Sequence, residues 1–207
     1  MILIMGFFNS ISIKKITLQD FLSIISNSQI LDNFLIFPLT EVTSIFEVLN
    51  KIRDELKLYS PYKVIEVETC EADDIIAVLA MKFSSTQKVM ILSSDKDFAQ
   101  LQKFPNVEQY SPILKKNIKE PLPAAQLKQL IIRGDKSDGI PNILSKDDTF
   151  VEGVRQKPIT ETKIINWMNQ KPEEFCTEEM LRNYNRNEIL IDLTRIPENL
   201  KQSIIDT

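Results

Sequence analysis

Val89-Met90-Ile91-Leu92-Ser93-Ser94-Asp95-Lys96-Asp97-Phe98 is an apolar, β-branched run that ends in two aspartates at i, i+2 spacing. A short unbroken apolar run is the pattern of a strand buried on both faces of a parallel sheet. Polar groups at its carboxyl end lie at the edge where α/β sheets bind ligands. Asp95 and Asp97 are therefore candidate site residues. Two more acidic groups flank them in the chain, Glu71-Ala72-Asp73-Asp74 before and Asp135-Lys136-Ser137-Asp138 after. A fold that gathers all three makes a carboxylate basin, in which like charges repel and each buried carboxylate loses hydration. A divalent metal ion offsets both costs.

Around that stretch, helices alternate with strands. Ile45, Val48, Leu49, Ile52 and Leu56 keep helical spacing while charged residues fill the other face, which predicts a helix from Ser44 to a stop at Pro61. Tyr62–Glu68 reads as a strand, Glu71 to about Phe83 as a helix, Asp97–Lys103 as a short helix and Val107–Tyr110 as a strand. The alternation predicts an α/β fold with a mainly parallel sheet flanked by helices. After Ser111, Lys115, Lys116 and Lys119 read as a basic turn, followed by a helix over Ala124–Arg133 that Gly134 ends. Lys163–Asn169 and Glu178–Asn187 read as helices, Glu188–Leu193 as an extended segment, and a last helix comes after Pro197. Residues 1–43 keep neither period for long; a helix over Thr17–Ile25 and an extended piece at Asn33–Phe37 are expected there. The organisation expected is a leader (1–43), an α/β core (44–111) and a helical region (112–207).

Composition narrows the chemistry. A chain of 207 residues with 43% hydrophobic content fills a core of ordinary size, and the net charge of −4 excludes a uniformly basic surface without excluding a local basic patch. The chain has no histidine, which removes histidine-based nucleophile schemes and the usual zinc sites. Carboxylates must carry any catalysis. Cys70 and Cys176 show no CxxC spacing and read as free thiols of a reducing compartment, the cytoplasm. The amino terminus MILIMGFF lacks a basic n-region, and no window approaches the roughly 20 apolar residues of a membrane span.

Each acidic group also has a plainer reading. Acidic residues in a first helical turn complement the helix dipole, Ser94 or Asp95 suits a helix N-cap, and Gly134–Pro141 has the composition of a turn. A strand ending in Asp-x-Asp also occurs in haloacid-dehalogenase-type phosphatases. Their signature continues with Thr two residues on, where this chain has Ala99.

Taken in order, Glu71-Ala72-Asp73-Asp74, Ser94-Asp95-Lys96-Asp97-Phe98 and Gly134-Asp135-Lys136-Ser137-Asp138-Gly139-Ile140-Pro141 resemble the 5′-to-3′ exonuclease and flap endonuclease family, on the side of its T-even phage ribonuclease H members. The resemblance runs from about Ser44 to the end. It implies a PIN-like core with a helix-turn-helix-like DNA-binding element, and hydrolysis of DNA or RNA-DNA hybrid near a 5′ end by two Mg²⁺ or Mn²⁺ ions, as in primer removal. It implies that Glu71, Asp73, Asp95 and Asp97 serve the first ion with Asp74 in support, and that Asp135, Asp138 and Asp97 serve the second. Lys136, Lys146, Arg155 and Lys157 fall where the family grips the duplex backbone. The implied partners are nucleic acid, a replication clamp or single-strand-binding protein, and a separate amino-terminal nuclease fragment. The last of these comes from a departure: residues 1–43 show no match to the family's opening strand with its essential Asp, so the sheet is expected to lack a central strand.

Overall fold

The computed structural model describes residues 2–7, 10–14 and 45–207. The helix expected at Thr17–Ile25 and the extended piece at Asn33–Phe37 lie outside the described residues. Six strands, β1 (Ile2–Phe7), β2 (Ser10–Lys14), β3 (Lys63–Ile65), β4 (Val89–Leu92), β5 (Val107–Ser111) and β6 (Lys116–Ile118), form one sheet in the order β3-β2-β1-β4-β5-β6. The stretch at residues 89–92 is a strand buried along its whole length, as the apolar run requires. It pairs in parallel with β1, Ile4 opposite Ile91, and with β5, Ile91 opposite Gln109.

The sheet differs from expectation in two ways. It is parallel only at its centre, and the β1-β2, β2-β3 and β5-β6 pairings are antiparallel. Only two residues separate β1 from β2 and four separate β5 from β6, too few for the crossover that a parallel pairing needs. The expected gap beside β4 is also filled. Ile2–Phe7, from the segment read as an unassigned leader, takes the central position.

Helix α1 (Ile45–Tyr59) precedes β3, and α2 (Ala72–Ser84) comes after it. Ile75–Ala80 of α2 are all buried, because this helix is covered on one side by the sheet and on another by the last helix, α7 (Glu198–Asp206). The strand expected over Tyr62–Glu68 is confined to Lys63–Ile65; Glu66 is instead drawn to Arg53 and Lys57 on α1, at 2.8 and 2.6 Å. The short helix after β4 is a 3₁₀ helix, Lys96–Lys103. The basic turn expected at Lys115–Lys119 is largely strand β6.

The remaining helices are α3 (Pro123–Arg133), α4 (Glu161–Met168), α5 (Pro172–Phe175) and α6 (Glu178–Ile191). They surround a second apolar cluster of Leu127, Ile131, Ile132, Ile140, Ile143, Ile164, Tyr184 and Ile191. Between α3 and α4, residues 134–160 carry no helix, a longer connection than the turn of a helix-turn-helix. The extended segment expected at Glu188–Leu193 is corrected, since α6 runs unbroken to Ile191. Its buried face is Asn183, Asn187 and Ile191 at i+4 steps, while Ile189 and Leu190 stay 66% and 59% exposed. Ile196, Leu200 and Ile204 then return to the first apolar cluster, which holds Ile75–Ala80 of α2 with Val89, Ile91, Phe98 and Leu101. Buried Gln100 fastens this return by donating to the Ile191 carbonyl at 3.0 Å and accepting from the Leu193 N–H at 3.0 Å. Among the described residues no helix is long and apolar enough to cross a membrane.

Candidate metal centre

Strand β4 ends at Leu92, and its neighbour β5 shapes the turn beyond it. Along β5, Val107, Gln109 and Ser111 face inward at every second position. The Gln109 amide donates to the carbonyls of Ser93 and Asp95 at 3.0 and 2.6 Å. The Ser111 and Ser94 hydroxyls lie 2.6 Å apart. The turn is thereby fixed, and Asp95 becomes the N-cap of the 3₁₀ helix, its Oδ1 accepting the Asp97 N–H at 3.0 Å. This is the plain role foreseen for Asp95, and it also sets Asp97. Oδ1 of Asp97 is buried and has no hydrogen-bond partner.

Glu71 caps α2, and its N–H donates to Oδ2 of Asp74 at 3.0 Å in a capping box. Asp74 therefore serves the helix end. Asp73, one residue earlier, is half-buried and turned toward the β4 edge. Burial, then the charges of Asp95, Asp97, Glu71 and Asp74, push its carboxyl up to about 6.

The third group stands on a strained turn after α3. Gly134 has φ +66°, and a Cβ there would lie 2.3 Å from the Ile140 carbonyl oxygen. The close approach is enforced by the Ile140 N–H donating to the Asp135 carbonyl at 2.7 Å. Asp135 is only 5% exposed; its Oδ1 accepts from the Ser137 N–H at 2.9 Å and from the Ser137 hydroxyl, and its Oδ2 accepts from Lys96 Nζ at 2.7 Å. Burial pushes this carboxyl up, but the bonds from Lys96 and Ser137 outweigh it and hold it below its ordinary value. From α6, Asn187 donates to the carbonyls of Ile131 and Pro141 at 2.8 and 2.9 Å, and Asn183 to those of Ile143 and Ser145 at 3.1 and 3.2 Å. These two buried amides hold both ends of the turn.

The outcome is a cluster of Asp97, Asp135 and Asp138, each offering one oxygen, with all three oxygens within 4.8 Å of one another. Asp97 lies where the fields meet. Burial and then the Asp95 charge raise its carboxyl to about 6, with Asp135 and Asp138 adding and Lys96 opposing. Glu71, Asp73, Asp74 and Asp95 stand outside that cluster of three. Three hard oxygen donors, one buried and unpartnered, with mutual repulsion to relieve, fit a divalent cation of the Mg²⁺ or Mn²⁺ type.

Lys136, Lys146, Arg155 and Lys157 are all exposed on the 134–160 connection. The Lys157 backbone is tied down by Ser145 Oγ at 3.0 Å and by Asn142 at 2.9 Å, which leaves its side chain outward. Sequence reading missed Lys96, Gln109, Ser111, Asn183 and Asn187. Polar residues at alternate positions of β5, and asparagines at i, i+4 on α6, were the available signal.

Two family models together match the chain from residue 40 to residue 207. The 5′-3′ exonuclease, N-terminal resolvase-like domain model matches residues 40–130, and the T4 RNase H, C terminal model matches residues 123–207. Ribonuclease H of Enterobacteria phage T4 is 40% identical over 170 residues, covering 78% of this chain and 55% of that protein. The chain thus spans about half the length of this curated relative. Among solved structures, a T5 protein co-crystallised with metal ions gives a TM-score of 0.51 at 17% identity over 78% of this chain and 67% of its own. A mutant of the T5 5′-exonuclease gives 0.51 at 17% identity over 79% and 74%. These two share the fold.

Proposed function

We propose, because this chain belongs to the 5′-to-3′ exonuclease family, that it is a metal-dependent 5′-to-3′ exonuclease and flap endonuclease acting on DNA and RNA-DNA hybrids, with removal of RNA primers in replication as its task. The observation that carries the reading is the unpartnered, buried Asp97 oxygen, set at the β4 edge with Asp135 and Asp138 around it. Two Mg²⁺ or Mn²⁺ ions bound here would supply water activation and charge stabilisation for phosphodiester hydrolysis. Asp97, Asp135 and Asp138 hold one ion. Glu71, Asp73 and Asp95 hold the other, and Asp74 secures the helix end that presents Glu71. Both carboxyls raised to about 6 are ionised at neutral pH, the form that binds a cation. Lys136, Lys146, Arg155 and Lys157 contact duplex phosphates from the exposed connection, which fixes register without reading sequence. The place of action is the cytoplasm, that of the host if the chain is phage-encoded.

The test is cleavage of a 5′-labelled flap and of an RNA-primed duplex with Mg²⁺ or Mn²⁺, with Asp95→Asn/Asp97→Asn as control. Cleavage that disappears in the double variant supports the reading. A second reading rests on β1, whose sequence Ile2–Phe7 carries no carboxylate: a DNA-binding module, or a subunit completed by a separate nuclease fragment. Absence of cleavage with duplex binding retained favours that one.

A further inference from the structure

We propose that Lys96 is a tethered cation that occupies the second metal position and must be displaced by the incoming divalent ion. The inference rests on the metal-centre reading above. Lys96 sits between Asp95 and Asp97 in sequence, and from the first turn of the 3₁₀ helix it reaches Asp135, 39 positions later. Its ammonium lies 2.7 Å from Oδ2 of Asp135, while the other Asp135 oxygen is already taken by the backbone and hydroxyl of Ser137. Oδ2 is thus the oxygen that Asp135 has to offer, and Lys96 and a metal ion compete for it. Asp97 and Asp138 also attract the ammonium. Two cations cannot share one carboxylate oxygen at contact distance without strong repulsion. The Lys96 side chain is 61% exposed against 5% for Asp135. It can therefore swing into water on a flexible stem while the carboxylate stays fixed.

The arrangement offsets the charge of a buried aspartate before metal arrives, at the expense of affinity for the ion that replaces it. Mn²⁺ titration of the full chain, followed by the paramagnetic resonance signal of free Mn²⁺, measures that trade-off. The ion concerned is the one lost in Asp138→Asn. Lys96→Met, which keeps the stem and removes the charge, should tighten this ion by about three- to fivefold, the upper part of the range of a partly exposed ion pair. Lys96→Arg keeps the charge and should stay within about twofold of the unmodified protein. In EDTA, Lys96→Met should melt below the unmodified protein, with the gap closing at saturating Mn²⁺. Equal Mn²⁺ affinity in Lys96→Met and the unmodified protein would overturn the role of Lys96 and leave the metal centre standing. No saturable Mn²⁺ in either protein would overturn both.

Discussion

Replacing Asp97 with asparagine removes one negative charge from the most crowded point of the acidic edge. In the metal-free protein this should stabilise the fold. The Asp97 carboxyl is raised to about 6, from an ordinary 3.8, by burial first and then by Asp95. A shift of about two units corresponds to roughly 3 kcal/mol at about 1.4 kcal/mol per unit. Partial exposure and the sharing of repulsion with Asp73 reduce that ceiling to about 1–2 kcal/mol. For a chain of this size, that raises Tm by roughly 2–8 °C. The pH dependence comes from the same shift. Because the folded carboxyl binds its proton more tightly than the unfolded one, native protein holds more protons between the ordinary value of 3.8 and about 6. Stability therefore falls as pH rises through that window and levels off above it. Asp135 is shifted the other way, so its contribution is present above its unfolded value and is lost as pH falls. Thermal melts in EDTA at about pH 5 and about pH 8 should show Asp97→Asn gaining most at the higher pH. With saturating Mn²⁺ the order should invert, since the unmodified protein gains binding energy that the variant lacks. A variant that melts below the unmodified protein at the higher pH in EDTA, or that Mn²⁺ lifts equally, would refute the reasoning.

Two further expectations concern the turn that carries Asp135 and Asp138. Asn187→Ala strips the donor from two buried carbonyls, Ile131 and Pro141; a loss of about 2–4 kcal/mol by urea unfolding is expected, with weaker Mn²⁺ binding. Gly134→Ala drives a Cβ against the Ile140 carbonyl, whereas Gly139 has φ +73° with nothing within 4 Å of an added Cβ. The first substitution should cost about 3 kcal/mol or more and the second about 1, so comparing their melting temperatures separates backbone clash from backbone strain.

The acidic edge was legible because its residues fall in three short runs and its elements keep simple periods. Val89–Leu92 is apolar at every position, and Ala72–Ser84 is apolar through its middle, so burial and sequence agree. The sequence misled where burial is polar. Helix α6 hides Asn183 and Asn187 and exposes Ile189 and Leu190, so hydrophobic spacing alone made its last turn look like an extended segment. The central strand β1 was missed because MILIMGFF runs into a segment without sustained period, and only its partners β2 and β4 give it a place. The cluster of Asp97, Asp135 and Asp138 joins residues about 40 positions apart. Its members were named from motif order, while the amides and hydroxyls that aim them carry no local pattern.

The return of the chain from α6 to α2, fastened by Gln100, has a kinetic side. Ile204 completes a cluster begun by residues more than a hundred positions earlier, and Gln100 meets its partners Ile191 and Leu193 across 91 and 93 positions. Such long-range closure slows folding, and it waits until the ribosome has made the segment after α6. While the ribosome is still making α7, part of α2 lacks its cover. Asp135 and Asp138 likewise follow Asp97 by about 40 positions, so a chain that ends before them does not present a finished acidic edge on its own.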